Sequence, residues 1–159
     1  MSRWPESVER VAAVLREAGV DARVEEFHAG TPTARAAAKA VGASLGQIVK
    51  SLLFICDGRP TLALVPGDRR ADERKVAIVA GAKAARVAKP AEVLAATGFE
   101  PGGVAPFPAP AVVQVLIAPE LLRHEQVWIG AGSERHMAGI SPVDLARLTD
   151  ARPGEITEA

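Results

Sequence analysis

The strongest constraint on how this chain can fold is a hairpin signal near its centre. An apolar run from Gln47 to Ile55 is followed closely by Asp57-Gly58 and then by a second apolar run, Thr61 to Val65. Asp-Gly is a favoured two-residue turn because its positive φ angles match the twist of the flanking strands, so the two runs are predicted to pair antiparallel. One residue in the first run breaks its apolar character. Side chains alternate along a strand, so Lys50 shares a face with Ile48, Leu52 and Phe54, and its ammonium is pressed toward apolar surroundings. The chain has five lysines against fourteen arginines, so arginine supplies its ordinary surface charge. Two readings of Lys50 stand: a strand-end lysine that snorkels to water, or a cation kept for function.

Around this hairpin the periodicity changes from two to 3.6 and back. Val8, Val11, Ala12, Leu15 and Ala18 recur at helical spacing, and Gly19 supplies a stop. A short strand, Ala22 to Phe27, is expected next. Thr33 is placed to cap an Ala-rich helix ending at Val41, with Gly42 terminating it, before a Ser44-Leu45-Gly46 turn. Pro66-Gly67-Asp68 breaks the return strand. A third helix spans Ala71 to Ala80, with Asp72 and Glu73 in its first turn and Gly81 at its end. A strand near Arg86 follows, then a helix opened by Pro90 at N1 and closed by Gly98. From Gly98 to Pro110 three glycines and four prolines fall within thirteen residues, a composition that predicts a shaped, irregular loop. Ala111 to Ala118, Gln126 to Ile129 and His136 to Ile140 read as strands, Gly130-Ala131-Gly132 as a hairpin turn, and Ser141-Pro142-Val143-Asp144 as the start of a last helix. The pattern gives an α+β fold: residues 1–159 as a single domain, with a mixed, largely antiparallel sheet and surrounding helices.

Composition narrows the function. At 159 residues and 48% hydrophobic content the chain can bury one substantial core. Nineteen basic residues balance nineteen acidic ones, so no overall basic field draws in DNA or an anionic membrane, and any RNA contact must be local. Met1 to Gly19 is interrupted by charges and holds no signal-peptide core, no run of eighteen apolar residues occurs, and the single cysteine, Cys56, forms no internal disulfide; these features predict a cytoplasmic protein. His28, His124 and His136 are scattered without partners at ligand spacing, so no metal is expected. Cys56 ends an apolar strand and reads as a packing residue. There is no Gly-x-Ser-x-Gly elbow, phosphate loop or dinucleotide fingerprint, so covalent catalysis and nucleotide hydrolysis find no support, and no cofactor is implied.

The residues carry a resemblance in their order. Thr33, Gln47-Ile48-Val49-Lys50-Ser51-Leu52, Pro66-Gly67-Asp68, Thr97-Gly98, Gly102-Gly103-Val104-Ala105-Pro106-Phe107 and Ser141-Pro142-Val143-Asp144-Leu145 together resemble the YbaK/EbsC family, free-standing relatives of the editing domain of prolyl-tRNA synthetase. The resemblance implies trans-editing: hydrolysis of the ester joining a wrong amino acid, most often Cys or Ala, to the acceptor end of tRNA for proline, without a metal or a protein nucleophile. An aminoacyl ester is already activated, so positioning and charge stabilisation suffice. By this resemblance Lys50 is the functional lysine, holding the terminal adenosine or the ester carbonyl, and Gly102 to Pro106 is the family's Gly-x-x-x-Pro loop, in which Gly102 and Gly103 let backbone approach the substrate.

Further positions match the family with competing structural readings. Asp144 corresponds to an acidic residue beside the pocket and also stands three residues after Ser141, the spacing of a capping box. Phe27 falls where some relatives carry a pocket aromatic, or simply ends a strand in the core. Gly132 corresponds to a glycine near the site, or belongs to a turn. The chain also departs from the pattern: Ala118 replaces an aspartate common in relatives, and Pro108-Ala109 replaces Gly-His. These departures keep open a second reading, a non-catalytic module that binds a tRNA end or a synthetase.

Overall fold

The computed structural model describes residues 4–28, 30, 31 and 33–159, so the first three residues of the segment read as lacking a leader lie outside it. α1 (Glu6–Ala18) buries Val8, Val11, Ala12 and Leu15 along one stripe and stops at Gly19, whose φ of 66° is the left-handed conformation that ends helices. After β1 (Val24–Glu26), α2 (Ala34–Val41) begins where the Thr33 hydroxyl accepts the Ala36 N–H. Gln47, expected in the central strand, belongs instead to a 3₁₀ turn, Leu45–Gln47, where its side chain accepts the Ser44 N–H.

The hairpin forms as predicted. β2 (Val49–Cys56) pairs antiparallel with β3 (Arg59–Pro66) through a turn in which Asp57 and Gly58 both have positive φ. The Asp57 carboxylate also accepts the N–H groups of Lys83 and Ala84, which holds its pKa below the usual range and ties the turn to the segment after the next helix. That helix, α3 (Glu73–Ala80), starts two residues later than expected because Asp72 is its cap, accepting from Arg74 and Lys75. β4 (Ala85–Val87), α4 (Pro90–Thr97), β5 (Gln114–Ile117), β6 (Val127–Ser133), β7 (His136–Ile140), α5 (Pro142–Thr149) and β8 (Arg152–Pro153) complete the chain.

Two sheets result. One runs β1-β7-β6 and is antiparallel; the other runs β4-β2-β3-β5-β8 and is mixed, with β5 parallel to both β3 and β8. β5 is shorter than the expected Ala111 to Ala118 because Val112 still bonds to Ala109 in the preceding turn. β6 is longer than expected: Gly130-Ala131-Gly132 lies inside it, and Glu134-Arg135 makes the turn. The sheets face each other across a common core that takes Val49, Leu53, Leu62 and Leu64 from one, Val127, Ile129, Ala138 and Ile140 from the other, and Val11 and Leu15 from α1. A second cluster on the opposite face of β2 and β3 packs Phe54, Cys56, Ala63 and Val65 against Val76 and Ile156, and Cys56 is a packing residue there. Among the described residues no helix is long and apolar enough to cross a membrane.

Candidate functional site

The two sheets touch through an isolated bridge between Ile48 and Trp128, and β2 makes no further ladder with β6 beyond it. In the space between them lies a cleft of about 350 Å³, walled by Lys50, Ser51 and Leu52 of β2, Thr33 and Ala37 of α2, and Gly130 of β6, with Gly102 and Val104 closing one side. A second concavity, of about 520 Å³, adjoins it and is bounded by Phe54, Val87 and Ala88 with Arg70, Glu73 and Glu158 at its rim. Lys50 borders both, as do Ser51, Leu52, Gly102 and Val104.

Lys50 lies on the face of β2 that also carries Leu52 and Phe54, as alternation predicted, whereas Ile48 precedes the strand and packs with Ala37 and Met137. Its Nζ donates to the carbonyl of Arg69, which anchors the ammonium and leaves further N–H groups for a ligand. Burial lowers its pKa, the Arg70 charge lowers it further, and Asp68 opposes both. The next residue carries a sharper anomaly: the Ser51 hydroxyl is buried without a hydrogen-bond partner. The backbone of this stretch is open as well. A two-residue turn makes Cys56–Arg59 a hydrogen-bonded pair, and alternation then directs the N–H and C=O of Lys50, Leu52 and Phe54 to β3 and those of Ser51 to the other edge. β4 pairs on that edge only from Phe54 onward, with Ala88 bonding to the Leu53 carbonyl, so Ser51 presents both backbone groups toward the cleft.

The glycine loop is laid directly on β6. A Cβ on Gly103 would fall 2.9 Å from Ser133 Cα, one on Gly130 would fall 2.8 Å from the Val104 carbonyl, and Gly102 has a φ of 93° with Glu134 behind it. These glycines therefore have a packing reason: they let the loop backbone sit against the strand and form the cleft wall. Of the residues expected at the site, Lys50 and Gly102 come together. Gly103 is buried beneath the loop, and Pro106 points into a separate concavity of about 850 Å³ with Phe107, Leu148 and Arg152. That larger concavity shares no lining residue with the Lys50 cleft. Gly132 has a φ of 100° and lies against α1, where a Cβ would meet the Ser7 carbonyl at 2.5 Å. Asp144 lies on α5, outside the cleft, and its carboxylate bonds to Arg147 at 2.7 Å; the Ser141 hydroxyl caps α5 by accepting the Val143 N–H. Phe27 lies just after β1, half-buried against Ala37 and Met137.

Sequence reasoning missed several polar groups here. Ser133, His136 and Glu26 form one cross-strand row: Ser133 Oγ lies 2.5 Å from His136 Nδ1, and His136 Nε2 lies 3.8 Å from Glu26. His136 is buried edge-on to Trp4, and burial pushes its pKa down while Glu26 pulls it up. Only the Ser-x-x-His spacing across a tight turn could have signalled this pair. The departures from the family pattern fall elsewhere: Ala118 is fully buried in the second core cluster, and Pro108 and Ala109 line the larger concavity. Neither borders Lys50. Among the described residues no three His, Cys, Asp or Glu side chains group as a metal site.

The fold is that of an editing module: the model of the aminoacyl-tRNA editing domain matches residues 28–148, and the chain belongs to that family. Over 127 residues it is 35% identical to the uncharacterized protein YwhH of Bacillus subtilis, covering 79% of this chain and 80% of YwhH. It is 36% identical over 107 residues to a proline–tRNA ligase of Nitratidesulfovibrio vulgaris, covering 67% of this chain but only 18% of the ligase. The solved structure of "a putative trans-editing enzyme for prolyl tRNA synthetase" superposes with a TM-score of 0.91 at 36% identity, over 98% of this chain and 99% of that one. The resemblance drawn from the sequence and the α+β fold class are both upheld.

Proposed function

We propose that residues 1–159 act as one cytoplasmic domain, a trans-editing deacylase that clears mischarged tRNA for proline, carrying Cys or Ala, without a metal or cofactor. The reaction adds water across the ester, giving the free amino acid and the tRNA 3′-hydroxyl. The observation that carries this reading is the anchored ammonium of Lys50 in a cleft closed by Gly102 and Val104. The spare N–H groups of Lys50 are suited to the ester carbonyl or the terminal nucleotide, where fixed positive charge stabilises the oxyanion that develops as water or a substrate hydroxyl attacks. From the Gly102–Pro106 loop, Gly102 and Val104 meet the substrate, and Gly103 and Pro106 hold the loop in shape. Relatives that share this domain include the ligase segment above and a "Putative Cys-tRNA(Pro)/Cys-tRNA(Cys) deacylase EbsC" of Enterococcus faecalis, 25% identical over 126 residues. The balanced charge confines tRNA contact to the acceptor end, leaving choice of tRNA to a synthetase or elongation factor in the same complex.

The test is deacylation of Cys-, Ala- and Ser-tRNA for proline by the native protein and by Lys50→Ala. Turnover of at least one substrate that drops by about 10²–10³ in a folded variant is expected for loss of one oxyanion-stabilising donor. A native protein that binds the tRNA end and hydrolyses nothing would identify a non-catalytic module instead.

A further inference from the structure

Among the described residues the cleft contains a hydroxyl without a partner. Thr31 donates to the Glu134 carbonyl, Thr33 accepts the Ala36 N–H, and Ser133 is paired with His136, so these three cleft-lining hydroxyls are engaged within the fold. Ser51, on the same wall, has a buried Oγ without a partner. It shares its face of β2 with Val49 and Leu53, both buried in the apolar core, so no neighbour on the strand can supply one. A buried hydroxyl left unpaired is unfavourable, and in a ligand cleft the missing partner can come from the ligand.

We infer that Ser51 is a specificity-determining residue: its hydroxyl hydrogen-bonds the β-substituent of the bound aminoacyl group, so the cleft favours a small side chain with Oγ or Sγ, seryl or cysteinyl, over alanyl. The inference rests on the deacylase reading for the identity of its ligand class. A second feature of the same residue makes it geometrically coherent. Ser51 also turns its backbone N–H and C=O to the open edge of β2, where an aminoacyl group can be held by its own carbonyl and α-ammonium irrespective of side chain. Held so, the first side-chain atoms lie beside the residue whose backbone grips them.

A site that hydrogen-bonds a substrate hydroxyl rejects the analogue lacking it, because its own polar group is then stranded. The experiment measures binding of three non-hydrolysable analogues, 3′-amide-linked seryl-, cysteinyl- and alanyl-adenosine, to the native protein, Ser51→Ala and Ser51→Thr. Native protein is expected to favour the seryl and cysteinyl analogues over the alanyl one by about tenfold. The preference vanishes in Ser51→Ala, with alanyl binding retained, and returns in Ser51→Thr. An unchanged preference in Ser51→Ala, or no preference or no binding in the native protein, overturns the inference. Retained preference with no hydrolysis of any charged tRNA would overturn the deacylase reading alone.

Discussion

At the scale of single residues, two side chains tie this site to pH, with consequences of opposite kind. The lowered pKa of Lys50 means that its ammonium titrates below the ordinary lysine value of about 10.4. Binding of the seryl analogue is therefore expected to weaken with rising pH earlier than a surface lysine would dictate, and Lys50→Arg, which stays cationic, should abolish that limb of the profile. His136 acts on stability instead. Its pKa is lowered in the folded state, so the unfolded chain binds the extra proton first, and stability that is complete above about pH 6.5 is lost as pH falls through the folded value. Urea melts of the native protein and His136→Gln between pH 5 and pH 8 should show an acid-side decline in the first that is shallower in the second. Lys50 was legible because a charge in an apolar strand violates a pattern. Ser51 was not, because serine in a strand violates nothing, and only burial together with the neighbours' bonding reveals that its hydroxyl is stranded.

At the scale of elements, the cleft depends on glycines that allow backbone to lie on backbone. Gly132 combines a φ of 100° with a projected Cβ position 2.5 Å from the Ser7 carbonyl, so Gly132→Ala incurs both backbone strain and a clash with α1. A loss of about 2 kcal/mol or more is expected from chemical denaturation. Asp72→Ala, which removes the cap of α3, should lose only about 1 kcal/mol. The elements themselves were largely legible, because Asp57-Gly58, Thr33 and the glycines that end α1 to α4 act through local geometry that short-range chemistry dictates. The misreadings of β5 and β6 share one cause. Gly130-Ala131-Gly132 carries the composition of a turn, yet tertiary contacts with Val104 and Ser7 use those glycines for close approach inside a strand. The parallel pairing of β5 with β3 and β8 is likewise decided between distant segments, and no local signal encodes it. Asp144 had capping-box spacing, but Arg147 one turn on offers its carboxylate a charged partner.

At the scale of the whole molecule, equal numbers of basic and acidic residues leave little non-specific attraction for a polyanion. Binding to tRNA should consequently show a shallow salt dependence, with a log–log slope of about −2, corresponding to two or three phosphates. A fluorescence titration across 50–300 mM salt measures this, and a slope near −6 would point to an extended tRNA interface. The arrangement of the two sheets has a further bearing on this molecule. They meet at Ile48 and Trp128, and the cleft occupies the gap beside that junction, not a hollow within the packed interior. A recognition site placed in such a seam borrows part of its wall from the core, Ala37, Ile48, Val49 and Met137 among it, so the positions that can be exchanged with little risk to the scaffold are few. One framework can in this way be retuned to successive mischarged substrates by a few substitutions along a single edge.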